Sequence, residues 1–283
     1  MELDMTKGSP FKLILKFIYP VILGNLFQQF YNMVDTIIVG KCVGFDALAA
    51  VGATGTINFL IIGFTVGLSG GFTVIVAQKF GAGDREGVRT ASLCTMFLSL
   101  VFTVIITIIS ILGMPKLLNI MNTPDDIYDM SYSYIIIIVS GLCFTVLYNM
   151  AASLLRAVGN SQIPLYFLVI SAGLNIVFDF LFIVPFKLGV AGAAWATILS
   201  QAISGILCMI YIAKKVPMLM PVKGETSLDN QIIKNQIGIG LPMALQYSIT
   251  AIGTIMVQSA LNLFGSVVIA SYTASNKVTQ LLT

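Results

Sequence analysis

Residues Ser171-Ala-Gly-Leu-Asn-Ile-Val-Phe-Asp-Phe-Leu-Phe-Ile-Val-Pro-Phe186 form an apolar run interrupted by a carboxylate, Asp179. The run reads as the core of a membrane-spanning helix. An aspartate at the centre of such a helix costs roughly 2.5–3.5 kcal/mol on insertion scales, and residues of this kind face a bundle interior or an aqueous cavity. Asn175 stands four residues earlier, so both polar groups leave the same helix face on successive turns. Asp35 repeats the situation in the first apolar span. The two aspartates are read as one ion site inside a helical bundle, with the remaining chain arranged around it.

Composition narrows the class. The chain has 283 residues, 57% hydrophobic and only 10% charged, against about 25% charged in soluble domains. It is expected to be an all-α, polytopic membrane protein. The net charge of +3 resides mostly in loops and implies no nucleic-acid partner. There is no histidine, which removes the commonest metal ligand and the usual neutral-pH general base. Cys42, Cys94, Cys143 and Cys208 are scattered without a Cys-x-x-Cys pair and read as small packing residues. Residues 1–10 are polar and lack a signal peptide's short apolar core, so the first span is expected to be retained.

Stretches able to cross the hydrocarbon core, roughly 20 residues each, fall near 13–39, 47–77, 91–113, 131–155, 163–186, 189–213 and 236–262. An eighth begins near 267. Lys7, Lys12, Lys16, Lys79, Arg85, Arg89, Arg156, Lys214, Lys215, Lys223 and Lys234 lie at one set of span ends, and only Lys41, Lys116 and Lys187 at the other. Basic residues favour the cytoplasmic side, which places the N-terminus inside and makes 114–130 an external loop.

The polar linker 214–235 separates a first group of six spans, 1–213, from the start of a second, 236–283. Shifting the chain by 222 sets Lys12 on Lys234, Pro20 on Pro242 and Leu23 on Leu245; after a one-residue slip Gly44 meets Gly265, Ala49 meets Ala270 and Ala53 meets Ala274. The agreement predicts a two-lobe repeat of six helices each, both copies in the same orientation. A chain with that period would run to roughly twice its length. The sequence is therefore expected to hold one whole lobe and the beginning of another.

Several positions carry polarity into apolar surroundings. Pro20 removes a backbone hydrogen bond and is expected to bend the first helix, about 22 Å from Asp35 by helical rise. Gln28, Gln29, Tyr31 and Asn32 precede Asp35 and read as lining a cavity or a helix contact. Asn149 lies in an apolar run, where an interhelical hydrogen bond and a cavity role are both open. Arg156 marks a membrane boundary. The loop Lys79-Phe-Gly-Ala-Gly-Asp-Arg-Glu-Gly-Val-Arg89 has glycines but no surrounding βαβ unit, and reads as a tight turn rather than a nucleotide site. Gly189, Gly192, Ala193 and Ala196 form a small-residue face for close approach of a neighbouring helix, which would bring the Thr197 oxygen beside Asp179.

Taken together, Gln78-Lys-Phe-Gly-Ala-Gly-Asp84, Leu155-Arg-Ala-Val-Gly-Asn160, Asn175-x-x-x-Asp179 and Gly189-Val-Ala-Gly-Ala-Ala-x-Ala-Thr197 resemble the multidrug and toxic compound extrusion (MATE) family. The resemblance implies a twelve-helix, two-lobe efflux transporter of the cell membrane, monomeric and without a cofactor, that exchanges H⁺ or Na⁺ for small organic, chiefly cationic, compounds. It implies a cation site at Asp35, Asn175, Asp179 and Thr197. It matches Pro20 to the bend of the first helix, and Gln28, Tyr31 and Asn149 to cavity-lining positions. One family branch carries a glutamate where this chain has Thr250, and the repeat equivalent of Asp35 is Val257, which leaves the first lobe as the ion-binding half. Lys277 is open between a helix-end contact and a functional role.

Three other readings are weighed. A lipid-linked oligosaccharide flippase of related fold calls for a more cationic cavity than the first lobe offers. A channel fits paired acids in a two-lobe repeat less well than a gated carrier. An enzyme needs a nucleophile–base pair or metal cluster, which a chain without histidine is poorly equipped to build.

Overall fold

A computed structural model describes residues 9–222 and 226–282. Among them are nine α-helices, namely α1 (Pro10–Cys42), α2 (Phe45–Gly81), α3 (Arg85–Ile120), α4 (Asp125–Ser140), α5 (Leu142–Ala157), α6 (Gln162–Ile183), α7 (Gly189–Lys215), α8 (Asn230–Asn262) and α9 (Ser266–Leu282). Six are long and apolar enough to cross a membrane, and α4 with α5, bent by 48°, meet the same length and composition only as a pair. The expected all-helical architecture is what the chain adopts.

The surface is inverted relative to a soluble protein. Leu100, Val104, Ile105, Ile108, Ile109 and Leu112 of α3 are all exposed, a stripe that lipid covers without cost. Polar groups lie inside instead. Thr54, Thr73, Thr95 and Thr103 are buried and return their hydroxyls to carbonyls one turn earlier in their own helices, the internal satisfaction a hydrocarbon solvent demands.

Three boundaries differ from the sequence reading. The fourth span breaks at Gly141, where α4 and α5 meet at 48°. Ser140 bonds back to the Ile136 carbonyl at 2.7 Å, a contact that bends helices, and a side chain at Gly141 would overlap Ile198 of α7. Helix α3 continues to Ile120 and α4 starts at Asp125, so the connection expected over 114–130 is only residues 121–124. The linker is also shorter than 214–235, since α7 ends at Lys215 and α8 starts at Asn230. Its first part is no tether: a single 3₁₀ turn, Pro217–Leu219, buries Leu219 completely in a cluster with Val88, Leu154, Leu155 and Ile212. Helix α1 runs as a single element from Pro10 to Cys42 with Pro20 inside it.

The turn between α2 and α3 is a built cap. Asp84 accepts from the Gly87 amide at 2.8 Å and from Lys79 Nζ at 2.9 Å. The Lys79 hydrogen bond, and then that of Gly87, hold the Asp84 carboxyl below its usual range. Such a side chain satisfies an orphan amide at a helix start, and the segment has the tight-turn role its sequence indicates.

The repeat is visible in the elements. Helices α1 and α8 are both 33 residues long, each with its proline inside, and each is followed by a glycine of positive φ, Gly44 and Gly265. Helix α2 has its most extensive contact with α8. The backbones meet where neither helix has a bulky side chain: a Cβ on Gly67 would lie 2.7 Å from the Ala244 Cα, and one on Gly71 would overlap the Gly240 backbone.

Gly71→Ala is therefore expected to destabilise the protein by about 1–3 kcal/mol, the usual range for overpacking. Gly173 is helical with open space where its Cβ would stand, so Gly173→Ala should be neutral or slightly stabilising. Melting temperatures of the two variants in detergent compare the same chemical change at two sites; equal values would contradict the tight crossing.

Candidate cation site

Three helices bring oxygen atoms to one place within the first six spans. Helix α6 presents Asn175 and Asp179 on one face, and both are completely buried. Helix α1, which packs chiefly on α6, presents Asp35, also buried, and the two carboxyl groups interact side chain to side chain. Helix α7 crosses α6 closely because Gly192 leaves room beside Phe182. That approach sets Thr197 Oγ1 to accept from Asn175 Nδ2 at 3.4 Å.

Two tyrosines complete the cluster. Tyr31, one turn before Asp35 on α1, lies close to Thr197 and within electrostatic range of both aspartates. Tyr134 of α4 is buried and lies in range of Asp35, Asp179 and Tyr31. Its ring belongs to an apolar cluster with Val39, Ile183, Val190 and Ala194, so the oxygens sit directly beneath a dry layer.

Among the described residues, neither Asp179 oxygen nor Asn175 Oδ1 receives a hydrogen bond from a donor group. Two facing carboxylates in apolar surroundings repel strongly and cannot both remain ionised and dry. The arrangement accommodates a shared proton or a small hard cation. The donor set fits the latter as well, since carboxylate, amide and hydroxyl oxygens are the ligands such ions prefer.

The MatE family model matches residues 20–181, which is more than half of the chain. The chain belongs to the MATE family. It is 31% identical to the Probable multidrug resistance protein YpnP of Bacillus subtilis (strain 168), over 99% of this chain and 62% of that protein. It is 28% identical to a solved inward-facing conformation of a multidrug resistance MATE family transporter, covering 90% of this chain and 58% of that one with a TM-score of 0.82. An outward-facing MATE structure matches at 25% identity, over 99% of this chain and 66% of that one, with a TM-score of 0.85. The chain spans about three-fifths of the length of the curated MATE proteins it matches.

The MATE reading of the sequence named Asp35, Asn175, Asp179 and Thr197, and the structure assembles all four. Tyr31, read there as a cavity residue, joins the same cluster. Gln28 is exposed on α1, and Asn149 is half-buried with its amide returned to the Thr145 carbonyl at 2.8 Å; neither reaches the oxygen cluster. Pro20 is buried in α1 well away from it. Val257 is exposed, as is Thr250, which contacts the Gln246 carbonyl at 3.4 Å, so neither helix α8 position offers a buried carboxylate. The Lys277 side chain lies outside the described residues. Tyr134 was missed, because an aromatic in Tyr132-Ser-Tyr-Ile-Ile-Ile-Ile-Val139 reads as core; only the span's packing against α7 could have singled it out.

Tyr134→Phe keeps the ring in its apolar layer and removes only the hydroxyl. It is expected to cost no more than about 1 kcal/mol of stability, and to weaken any rise in melting temperature on addition of Na⁺ or acid relative to the native protein. A native-like ion response would place the hydroxyl outside the site.

Proposed function

We propose that the protein this chain belongs to is a secondary active efflux transporter. It exchanges external H⁺ or Na⁺ for small organic, chiefly cationic, compounds across the cell membrane, with the N-terminus in the cytoplasm. The observation that carries the reading is the donor-free, completely buried Asp179 carboxylate facing Asp35 from another helix. Burial and a facing acid both favour a protonated or cation-bound form of such a carboxylate.

The coupling follows from which helices carry the acids. Helix α1 is mostly exposed along its length, whereas α6 is fixed on both α1 and α7. Uptake of the cation draws Asp35 toward Asp179 and fastens α1 to α6; its release restores the repulsion and frees α1. A ligand shifts a conformational equilibrium only by its difference in affinity between the two states. The α1–α6 contact supplies that difference, and the missing hydrogen bond at Pro20 gives α1 a point at which to bend. The division into lobes, 1–213 and 236–283 about the linker 214–235, belongs to the same proposal, with alternating access arising as the lobes rock. Lipid is the surrounding solvent, the transporter works as a monomer, and no cofactor or catalytic residue enters the cycle.

The test uses the whole reading frame in inside-out vesicles. Addition of ethidium or a fluoroquinolone should dissipate an imposed pH gradient or Na⁺ gradient with native protein, and Asp179→Asn should abolish the response. A variant as active as native protein would remove Asp179 from the coupling step. Inactive native protein, at verified expression, would favour a substrate of another class, such as a lipid-linked oligosaccharide.

A further inference from the structure

The cation site is bounded differently on its two sides. One turn from Asp35, Asp179 and Thr197 in one direction stand Val39, Ile183 and Ala193, all buried in the apolar layer that also holds Tyr134. One turn from Asp35, Asn175 and Thr197 in the other direction stand Tyr31, Ser171 and Gln201. The polar side is also the longer one. Asp179 lies about 6 Å by helical rise from the end of α6 at Ile183 and about 25 Å from its start at Gln162.

The polar side follows the seam between α6 and α7. Thr197 meets Asn175 at one level, and the Tyr211 and Phe167 rings meet edge to face, 6.1 Å between centroids, at another. Gln201, Ser204 and Cys208 fall on the stripe of α7 between these two contacts, and Ser171 falls between them on α6. The opposite stripe of α7, with Trp195, Leu199, Ile203, Ile206 and Ile210, is exposed and apolar. Buried hydroxyls in these helices commonly return to a carbonyl of their own helix, as Ser200 does to Thr197 at 2.9 Å. Ser204 Oγ does not, although Ser204 is completely buried. Among the described residues neither it nor Gln201 Oε1 has a hydrogen-bond partner. Unmet polar atoms are costly in an apolar interior, and a cation or the water around it would offset that cost.

We infer that the coupling cation leaves the carboxylates toward the cytoplasmic face through the α6–α7 seam, past Ser171, Gln201 and Ser204, while the organic substrate crosses between the lobes. The inference rests on the transport reading above and gives the cation an exit of its own. Entry and exit then use different helices. Helix α1, lightly held, admits the cation beside Asp35, and the seam behind Asn175 releases it. Ser171, Gln201 and Ser204 are neutral, so they hold a cation less firmly than two carboxylates do, which suits passage rather than storage. Arg156 of α5 donates to Ser153 at 3.0 Å and lies within electrostatic range of Cys208. Its fixed positive charge keeps cations from lodging at that end of the seam.

The test uses the whole protein in inside-out vesicles, with a pH gradient and a Na⁺ gradient imposed in separate runs so that the two cations are told apart. Ser204→Ala and Gln201→Leu should each slow substrate-driven loss of the gradient by about tenfold, the factor one lost hydrogen bond makes in a rate. Any melting-temperature response to added Na⁺ or acid should stay that of the native protein, because the carboxylates are untouched. Native rates in both variants would overturn the inference and leave the transport reading intact. Ser204→Cys, with Cys42, Cys94, Cys143 and Cys208 replaced by Ala, probes the route without transport. Ag⁺, a thiol-binding cation little larger than Na⁺, should reach it from the cytoplasmic face, read as loss of the thiol to later alkylation in denaturant. A folded variant that stays unprotected would overturn the inference even where Ser204→Ala or Gln201→Leu fails to fold. Native protein that dissipates neither gradient would take down the transport reading and this inference with it.

Discussion

The fold depends on how closely α2 and α8 approach. In lipid there is little hydrophobic gain in bringing two apolar helices together, so packing must come from van der Waals contact and from hydrogen bonds between helices. At Gly67, Gly71, Gly240 and Ala244 the two backbones touch almost directly. Closeness of that kind allows the short polar side chains on either side to find partners. Gln236 reaches α3 only because α8 lies in this groove, and Asn262 reaches Met121 for the same reason. Small residues create the proximity, and amides then specify the register.

The same device recurs at the cation site on a smaller scale. Gly192 and its alanine neighbours let α7 approach α6, which brings the Thr197 hydroxyl to Asn175. Asn175 and Asp179 need no special geometry beyond helical periodicity to share a face. The costly element is Asp35, on a helix that is otherwise little buried and is held chiefly by α6. Setting a second acid on the least anchored helix of the group makes its position depend on what lies between the two carboxylates.

Much of this is legible in the chain, for identifiable reasons. A carboxylate in Phe178-Asp-Phe-Leu-Phe182 stands out because few neighbours can hide it, and the four-residue spacing to Asn175 is a property of any helix. Thr197 follows from the small-residue face before it. Less visible features belong to residue types whose role is set by a distant partner. Tyr134 looks like core until α1 and α6 are placed beside it. Gly141 looks like a tolerated glycine until Ile198 is set against it and Ser140 is seen to bond backward. Gln236 opens an apolar span two residues after Lys234 and looks like a membrane-boundary residue, yet it is completely buried. Gln28 lies on the exposed face of α1, apart from the oxygen cluster.

The alignment of Pro20 with Pro242, and of Gly44 with Gly265, records how the two halves correspond, and it divides the chain at the linker. How the start of the second half is fastened to the first is not visible in that alignment. The 3₁₀ turn of the linker is buried in the core of the first six spans through Leu219, and α8 continues that attachment across the whole membrane. Contacts made only of small apolar groups separate in lipid at low cost, since acyl chains replace the lost surface. Buried amides have no such substitute, so Gln236 and Asn262 fix α8 against α3 more firmly than the small-residue crossing with α2 could alone.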